Sequence, residues 1–383
     1  MLLPPRPVRR ALAPLLLAVE VGLLAVFAAG ALLGALAAVV SRPRRLLRVC
    51  GFACGYLVME IAALPLALWV WLRALPGLHS RDPRRRERAR LDWVATHHRL
   101  LEVVLGKVLA WATRCVGFSV VVDGPLDPLD GDGPLLALAR HGGPGDSFAL
   151  VELLLSRGRH VRIVLKQVLQ LDPALDILLN RLDACFLPSR HGAGGDLPKR
   201  LAELAERLEG RDTLLVFPEG GNWTPRRRRR AIRRLRGEHR REAARAATLM
   251  ANVLPPRPAG VQAVLAARPD LPVVLLAHAG LDRLVQPAEV WKALPLTTAM
   301  TVRVWPTAPV PAARPDAEAA GVDPGGVKPG GVERAEPLVG AADGDDDERR
   351  LAWLTTEWAT VDEWVDAYHT AHPEAPGRTW AQA

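Results

Sequence analysis

Leu135 to Ser156 reads LLALARHGGPGDSFALVELLLS, and this stretch decides the fold. Leu135–Arg140 is short, apolar and bounded by turn residues, as a buried strand is. Phe148–Ser156 is apolar over helical length, with Asp146 or Ser147 placed to cap its start. Between them Gly142, Gly143, Pro144 and Gly145 force a tight turn. A strand that hands over to a helix in this way is the repeating step of an α/β protein.

The step recurs on both sides. Upstream, Leu91–Gly117 has the apolar spacing of an amphipathic helix, and Ser119–Asp123 reads as a strand. Downstream, His160–Leu165, Ala184–Leu187, Thr213–Phe217, Pro272–Leu276 and Thr301–Trp305 read as strands. Leu197–Leu208 reads as a helix, and Arg226–Met250 as one long basic helix. The expected class is α/β, with a sheet largely covered by helices.

Further out, the chain changes character. Ala11–Val40 is apolar with Glu20 its only charge, and Val49–Leu72 is apolar with Glu60 its only charge. The first run alone would make a helix of about 45 Å, against about 30 Å of bilayer hydrocarbon. Two such runs joined by the short basic link Ser41–Arg48 predict a membrane hairpin, since a signal peptide has a shorter core and no second run. Arginines flank every end: Arg6, Arg9 and Arg10 before, Arg42, Arg44, Arg45 and Arg48 in the link, Arg73 and Arg81–Arg90 after. The excess at the outer ends favours a cytoplasmic face for both, while the link arginines fit a re-entrant hairpin as well. Glu20 and Glu60 are expected to pair with flanking arginines or to sit near the interface.

The sequence divides into a hairpin with basic flanks (1–90), a catalytic-sized domain (91–307), a Pro/Gly/Asp-rich linker (308–349) and a C-terminal amphipathic helix with its tail (350–383). The 383 residues are 49% hydrophobic, which excludes wholesale disorder, and four cysteines are too few for a disulfide framework. A net charge of +9 admits anionic lipid, phosphorylated ligands or nucleic acid as partners. His97, His98 and His239 lack metal-ligand spacing and read as surface residues, so no metal site is expected.

The glycine turn also carries chemistry. His141 follows the strand directly, and Asp146 follows it at the start of the helix. The turn lets imidazole and carboxylate fold back to meet, and a carboxylate that fixes the tautomer of a histidine makes it a general base. Three more blocks follow in order. Cys185-Phe186-Leu187-Pro188-Ser189-Arg190 ends a strand in an arginine suited to phosphate. Phe217-Pro218-Glu219-Gly220-Gly221 ends another in a turn whose N–H groups can approach an anion. Leu271–Ala277 is an apolar strand led by Pro272.

Together these blocks resemble the glycerolipid acyltransferase family, the 1-acylglycerol-3-phosphate acyltransferases and their relatives, over roughly Gly117 to Gly280. Lys166–Pro173, Glu219–Thr224 and Leu254–Gly260 resemble its lysocardiolipin acyltransferase branch. Gly221-Asn222-Trp223 departs from the family's usual Thr-Arg-Ser, Arg190 lies one place late, and Gly142–Gly145 replaces bulkier polar residues. The resemblance implies a mixed sheet of that family's type behind the membrane hairpin. It implies transfer of a fatty acyl group from a thioester, acyl-CoA or acyl carrier protein, to the hydroxyl of a lysophospholipid. His141 would take the proton and Asp146 would orient it, with no cofactor and no metal. A backbone N–H near Gly142–Gly145 would hold the oxyanion. Arg190, with the Glu219–Gly220 turn and Lys166, would hold the acceptor's phosphate. Anionic membrane lipids are expected partners through Arg226–Arg230, nucleic acid is not, and oligomeric state is left open. The implied location is the cell membrane, with the domain on the cytoplasmic face. Two other readings stay open: a thioesterase using the same pair on water, and a non-enzymatic basic membrane adaptor.

Overall fold

A capping side chain followed by proline starts three helices of the domain. The computed structural model describes residues 6–38, 44–143, 145–182, 184–187, 197–311 and 346–374. Asp82 caps α3 (Pro83–Val116), Asp172 caps α5 (Pro173–Arg181) and Thr224 caps α7 (Pro225–Gly237), each side chain accepting a backbone N–H of the first turn. The proline that follows occupies a position whose N–H has no intrahelical partner, so its missing donor costs nothing. Pro83, Pro173 and Pro225 therefore start helices and do not break them.

Seven strands form one sheet: β1 (Val120–Val122), β2 (Leu135–Ala139), β3 (His160–Lys166), β4 (Cys185–Leu187), β5 (Asp212–Val216), β6 (Val273–Ala279) and β7 (Met300–Pro306). Their order is β1-β7-β6-β2-β5-β3-β4. All neighbours are parallel except β6 and β7, which are antiparallel. β2, β5 and β6 are buried throughout, which explains their apolar runs Leu135–Ala139, Leu214–Val216 and Val273–Ala277. Side chains alternate between two cores. Leu135, Ala137, Leu215 and Val274 face α3, α4 (Asp146–Ser156) and α5. Leu136, Leu138, Leu214 and Leu275 face α6 (Leu197–Glu206), α9 (Pro258–Ala267) and α11 (Asp346–Ala371). The C-terminal helix is thus a layer of the domain, with Trp353, Trp358, Val361 and Val365 buried in the second core. Most of the linker, residues 312–345, lies outside the described residues.

The long basic helix expected over Arg226–Met250 is two helices. α7 ends at Gly237, His239 takes a left-handed conformation (φ 57°), and α8 (Arg241–Leu249) folds back. Ile232 and Leu235 then bury themselves against Ala244 and Ala247, which one straight helix could not do. His97 and His98 are buried, not surface residues. His97 Nε2 accepts from Arg181 at 2.9 Å, and the His98 ring stacks on His160.

The apolar runs form α1 (Arg6–Ala37) and α2 (Arg45–Leu78), and α10 (Pro287–Ala293) completes the helices. The hairpin runs along the domain. At one end Arg45 donates to the carbonyls of Lys292 and Leu294, and Arg48 to that of Cys115. At the other, Arg9 grips the Asp176 carboxylate with two nitrogens, and Arg181 donates to the Ala67 carbonyl. Between these ends Glu20, Glu60 and Asp172 come together, with ligand atoms within 4.8 Å of one another. The two glutamates therefore meet a carboxylate of the domain, where pairing with flanking arginines or a place near the interface was expected.

Candidate functional site

The site begins where β2 ends. Gly145, at φ 79°, turns the chain so that Asp146 becomes the first residue of α4. A left-handed glycine, not a capping side chain, starts this helix, and that leaves the Asp146 carboxylate for other work. His141 Nδ1 donates to Asp146 Oδ2 at 2.7 Å, and Gly142 N donates to the same oxygen at 2.9 Å. Oδ1 accepts from Ser147 N at 2.5 Å and Ser147 Oγ at 3.1 Å. With its Nδ1 proton given to the carboxylate, His141 keeps Nε2 as the basic nitrogen. Burial pushes Asp146 up, but the His141 and His278 imidazoles outweigh it and hold the carboxyl well below the usual range.

Gly142 N–H is therefore spent on Asp146, so the oxyanion donor expected in this turn is not that one. Among the described residues the Gly143 N–H has no partner. The Trp223 N–H donates to the His141 carbonyl at 2.8 Å, tying the first block to the third, and the Phe217 ring packs on the His141 imidazole at 4.8 Å.

Behind the pair lies a brace that the sequence did not announce. Arg140 is 0% exposed, donating to the carbonyls of His278 (2.6 Å) and Asn252 (2.7 Å) and to Asp282 Oδ2 (2.9 Å). His369, from α11, reaches the same Asp282 oxygen at 3.1 Å. Burial raises Asp282, and the Arg140 guanidinium with His369 and His278 overcomes it and holds the carboxyl far down. His278 Nε2 donates to the Arg140 carbonyl at 3.2 Å and lies 3.6 Å from Asp146 Oδ2. Asp362, also on α11, accepts the backbone N–H groups of Ala251, Asn252 and Val253. The only signal of this brace in the sequence is a charged residue, Arg140, closing an apolar strand.

The other expected site residues divide. Gly220 lies on the wall of the cavity described below, at φ 67°. Glu219 sits beneath that turn, 2% exposed and absent from the wall. Neither of its carboxylate oxygens has a hydrogen-bond partner. Burial raises its pKa to about 8, against the pull of Arg140 and of the Leu254 and His141 amides, neither of which reaches hydrogen-bond geometry. Its carboxylate is thus buried beneath the turn and does not line the cavity, where the resemblance placed it beside the phosphate. Lys166 ends β3, and its side chain lies outside the described residues, as does Arg190 altogether. Asn222 stands where the resemblance puts an arginine, and the guanidinium nearest Gly220 comes instead from Arg257, at the start of α9.

His141 opens into a cavity of about 570 Å³. Leu101 and Leu105 of α3, Val151 of α4, Leu175 and Leu179 of α5, and Leu201 of α6 line it. A general base at the mouth of an apolar cavity can deprotonate a hydroxyl beside a buried aliphatic chain.

Residues 120–276 match the family model described as Acyltransferase. Among solved structures, the 1-acyl-sn-glycerophosphate (LPA) acyltransferase PlsC from Thermotoga maritima is similar at 16% identity, over 70% of this chain and 87% of that one, with a TM-score of 0.43. No curated protein matches. The match covers under half of the chain, and the matched stretch, which holds His141, Asp146 and the blocks that follow them in order, is an acyltransferase-type region.

Proposed function

We propose that this enzyme moves a fatty acyl group from a thioester to the hydroxyl of a lysophospholipid at a membrane surface. The carrying observation is the His141–Asp146 pair, 2.7 Å apart, at the mouth of the apolar cavity. His141 Nε2 takes the hydroxyl proton as the oxygen attacks the thioester carbonyl. The tetrahedral intermediate collapses with loss of the thiolate, which recovers the proton from the imidazolium. Attack is direct, so the step calls for no protein nucleophile, cofactor or metal. The acyl chain lies in the cavity, where each buried CH₂ contributes about 0.8 kcal/mol.

The hairpin contacts support attachment to one leaflet. Arg45 and Ala67 are separated by about 33 Å of helix, more than the ~30 Å hydrocarbon thickness. The domain touches both, so a hairpin crossing the bilayer would drag polar domain surface through it. An in-plane hairpin instead offers the exposed face of Leu15, Val19, Val26, Leu32 and Leu36 to the acyl chains. Flanking arginines favour the cytoplasmic leaflet. Exposed arginines of α7, among them Arg226, Arg229, Arg230 and Arg233, make anionic headgroups a fitting partner.

The test is incubation of membranes carrying the enzyme with labelled acyl-CoA, or acyl carrier protein thioester, and a panel of lysophospholipids. Diacyl product formed with one acceptor and lost in His141→Ala is the expected result. Thiol release without diacyl product would replace this reading with a thioesterase, and an active, folded His141→Ala enzyme would sink the mechanism.

A further inference from the structure

Two consecutive glycines each have a guanidinium standing where a side chain would be. A Cβ on Gly220 would lie 3.0 Å from Cζ and Nε of Arg257, and one on Gly221 would lie 3.2 Å from Nη1 of Arg227. The two arginines come from different elements. Arg257 precedes α9, its backbone N–H held by the Pro218 carbonyl at 2.8 Å. Arg227 sits in the first turn of α7, its Nη1 donating to the Asn222 carbonyl at 2.9 Å. The fold thus brings two cations to one turn from separate helix starts, and only glycine leaves room for them.

Nothing among the described residues neutralises Arg257. Its guanidinium has no hydrogen bond or ion pair, and the charges that act on it, Arg234 and Arg227, share its sign. Glu219, the acid that adjoins this turn in sequence, lies beneath it under the influence of Arg140. Like charges gathered without a counterion raise the energy of the empty site, and a dianion removes that cost. Arg257 also lines the cavity, where His141 is the other ionisable group among the described residues. An anion held there would sit on the rim of the space into which His141 opens.

We propose that Arg257 and Arg227 form a phosphomonoester-binding site at the Gly220–Gly221 turn, on the rim of the His141 cavity. The assignment rests on the acyl-transfer reading for its role, but not for its existence. The phosphomonoester comes either from the acceptor headgroup or from the 3′-phosphate of a coenzyme A donor. Arg257 supplies two or more parallel N–H groups to its oxygens, and Arg227 adds charge from the other side.

The full chain in detergent micelles is titrated with glycerol 3-phosphate and with adenosine 3′,5′-bisphosphate, followed by ³¹P NMR, with glycerol as the uncharged control. The expected result is binding of one phosphate probe, weakened at least tenfold in Arg257→Gln and measurably in Arg227→Gln, with partial recovery in Arg257→Lys. Which probe binds identifies the source. Thermal unfolding of each variant checks that the fold survives, and Arg227→Gln carries the test if Arg257→Gln unfolds. No binding of either probe, or equal binding by wild type and variants, overturns the site. Transfer to lysophosphatidic acid is measured in parallel. Product formation with both KM values unchanged in Arg257→Gln removes the site and keeps the acyl-transfer reading. Arginine-dependent phosphate binding without any transfer keeps the site and removes that reading.

Discussion

Arg140 and His369 meet on one oxygen of Asp282, at 2.9 and 3.1 Å, and this is how the last helix holds the residue next to His141. All three side chains are buried. Removing one member of a buried ion pair costs about 3–5 kcal/mol, because the partner is left charged and unpaired. Asp282→Asn should therefore lower stability by about that amount in denaturant unfolding. His369→Gln should cost less, since Arg140 keeps its carboxylate. If the brace positions His141, kcat in both variants should fall further than KM changes. A loss of stability with kcat untouched would make the brace purely structural.

Asp146 has a different task, and its substitution should separate cleanly from folding defects. Asp146→Asn keeps the side chain's shape and an oxygen for one of the two amides, Gly142 or Ser147, which bind different oxygens of the carboxylate, and it no longer fixes the His141 tautomer. General-base catalysis is worth about 10²–10⁴-fold, so kcat should fall within that range with both KM values nearly unchanged. The carboxyl is held below its usual value, so its contribution to stability is present above about pH 4 and is lost as pH falls from there. The wild type should lose that increment on acidification, and Asp146→Asn should not. An Asp146→Asn enzyme with wild-type kcat would remove the dyad from the mechanism.

Glu219 produces the opposite limb. Its folded pKa is raised from 4.5 to about 8, so the folded state binds the proton more tightly than the unfolded chain does. Stability then falls as pH rises through that window, by on the order of 5 kcal/mol for a fully buried group, and levels off above it. Glu219→Gln fixes the uncharged form and should flatten the curve between pH 5 and pH 9. Unfolding midpoints across that range, in wild type and variant, check it. Parallel curves would mean that the carboxylate finds compensation when ionised.

The alternation of strand and helix was legible because β2, β5 and β6 are buried on both faces and so carry runs of apolar residues, interrupted only by Asp212, Thr213 and His278. His141 and Asp146 were legible because five residues of chain contain their whole relationship. The brace was not, since Arg140, Asp282 and His369 are brought together from distant parts of the chain. The break between α7 and α8 was hidden because Glu238, His239 and Arg240 all suit a helix, and only packing against Ala244 and Ala247 makes the turn worthwhile. The burial of His97 did have a signal. It lies on the same helical stripe as Leu101, Leu105, Val108 and Ala112, which are buried with it. Glu219 was expected only as part of the phosphate-holding turn, and its burial beneath that turn has no signal in the local sequence.

The hairpin offers a test that needs no enzymatic activity. Its link end is tied to the domain through Arg45, and its other end through Arg9 and Arg181. If the helices lie in one leaflet, both ends face the same compartment as His141. In a cysteine-free background, Leu46→Cys near the link and Arg81→Cys beyond α2 are both exposed positions. A membrane-impermeant maleimide should label both from the cytoplasmic side of sealed vesicles, and neither from the opposite side. Labelling of the two from opposite sides would mean that α2 spans the bilayer. The contacts of Arg45 with Lys292 and Leu294 could not then form in the membrane, because a polar loop of the domain would have to cross about 30 Å of hydrocarbon to reach them.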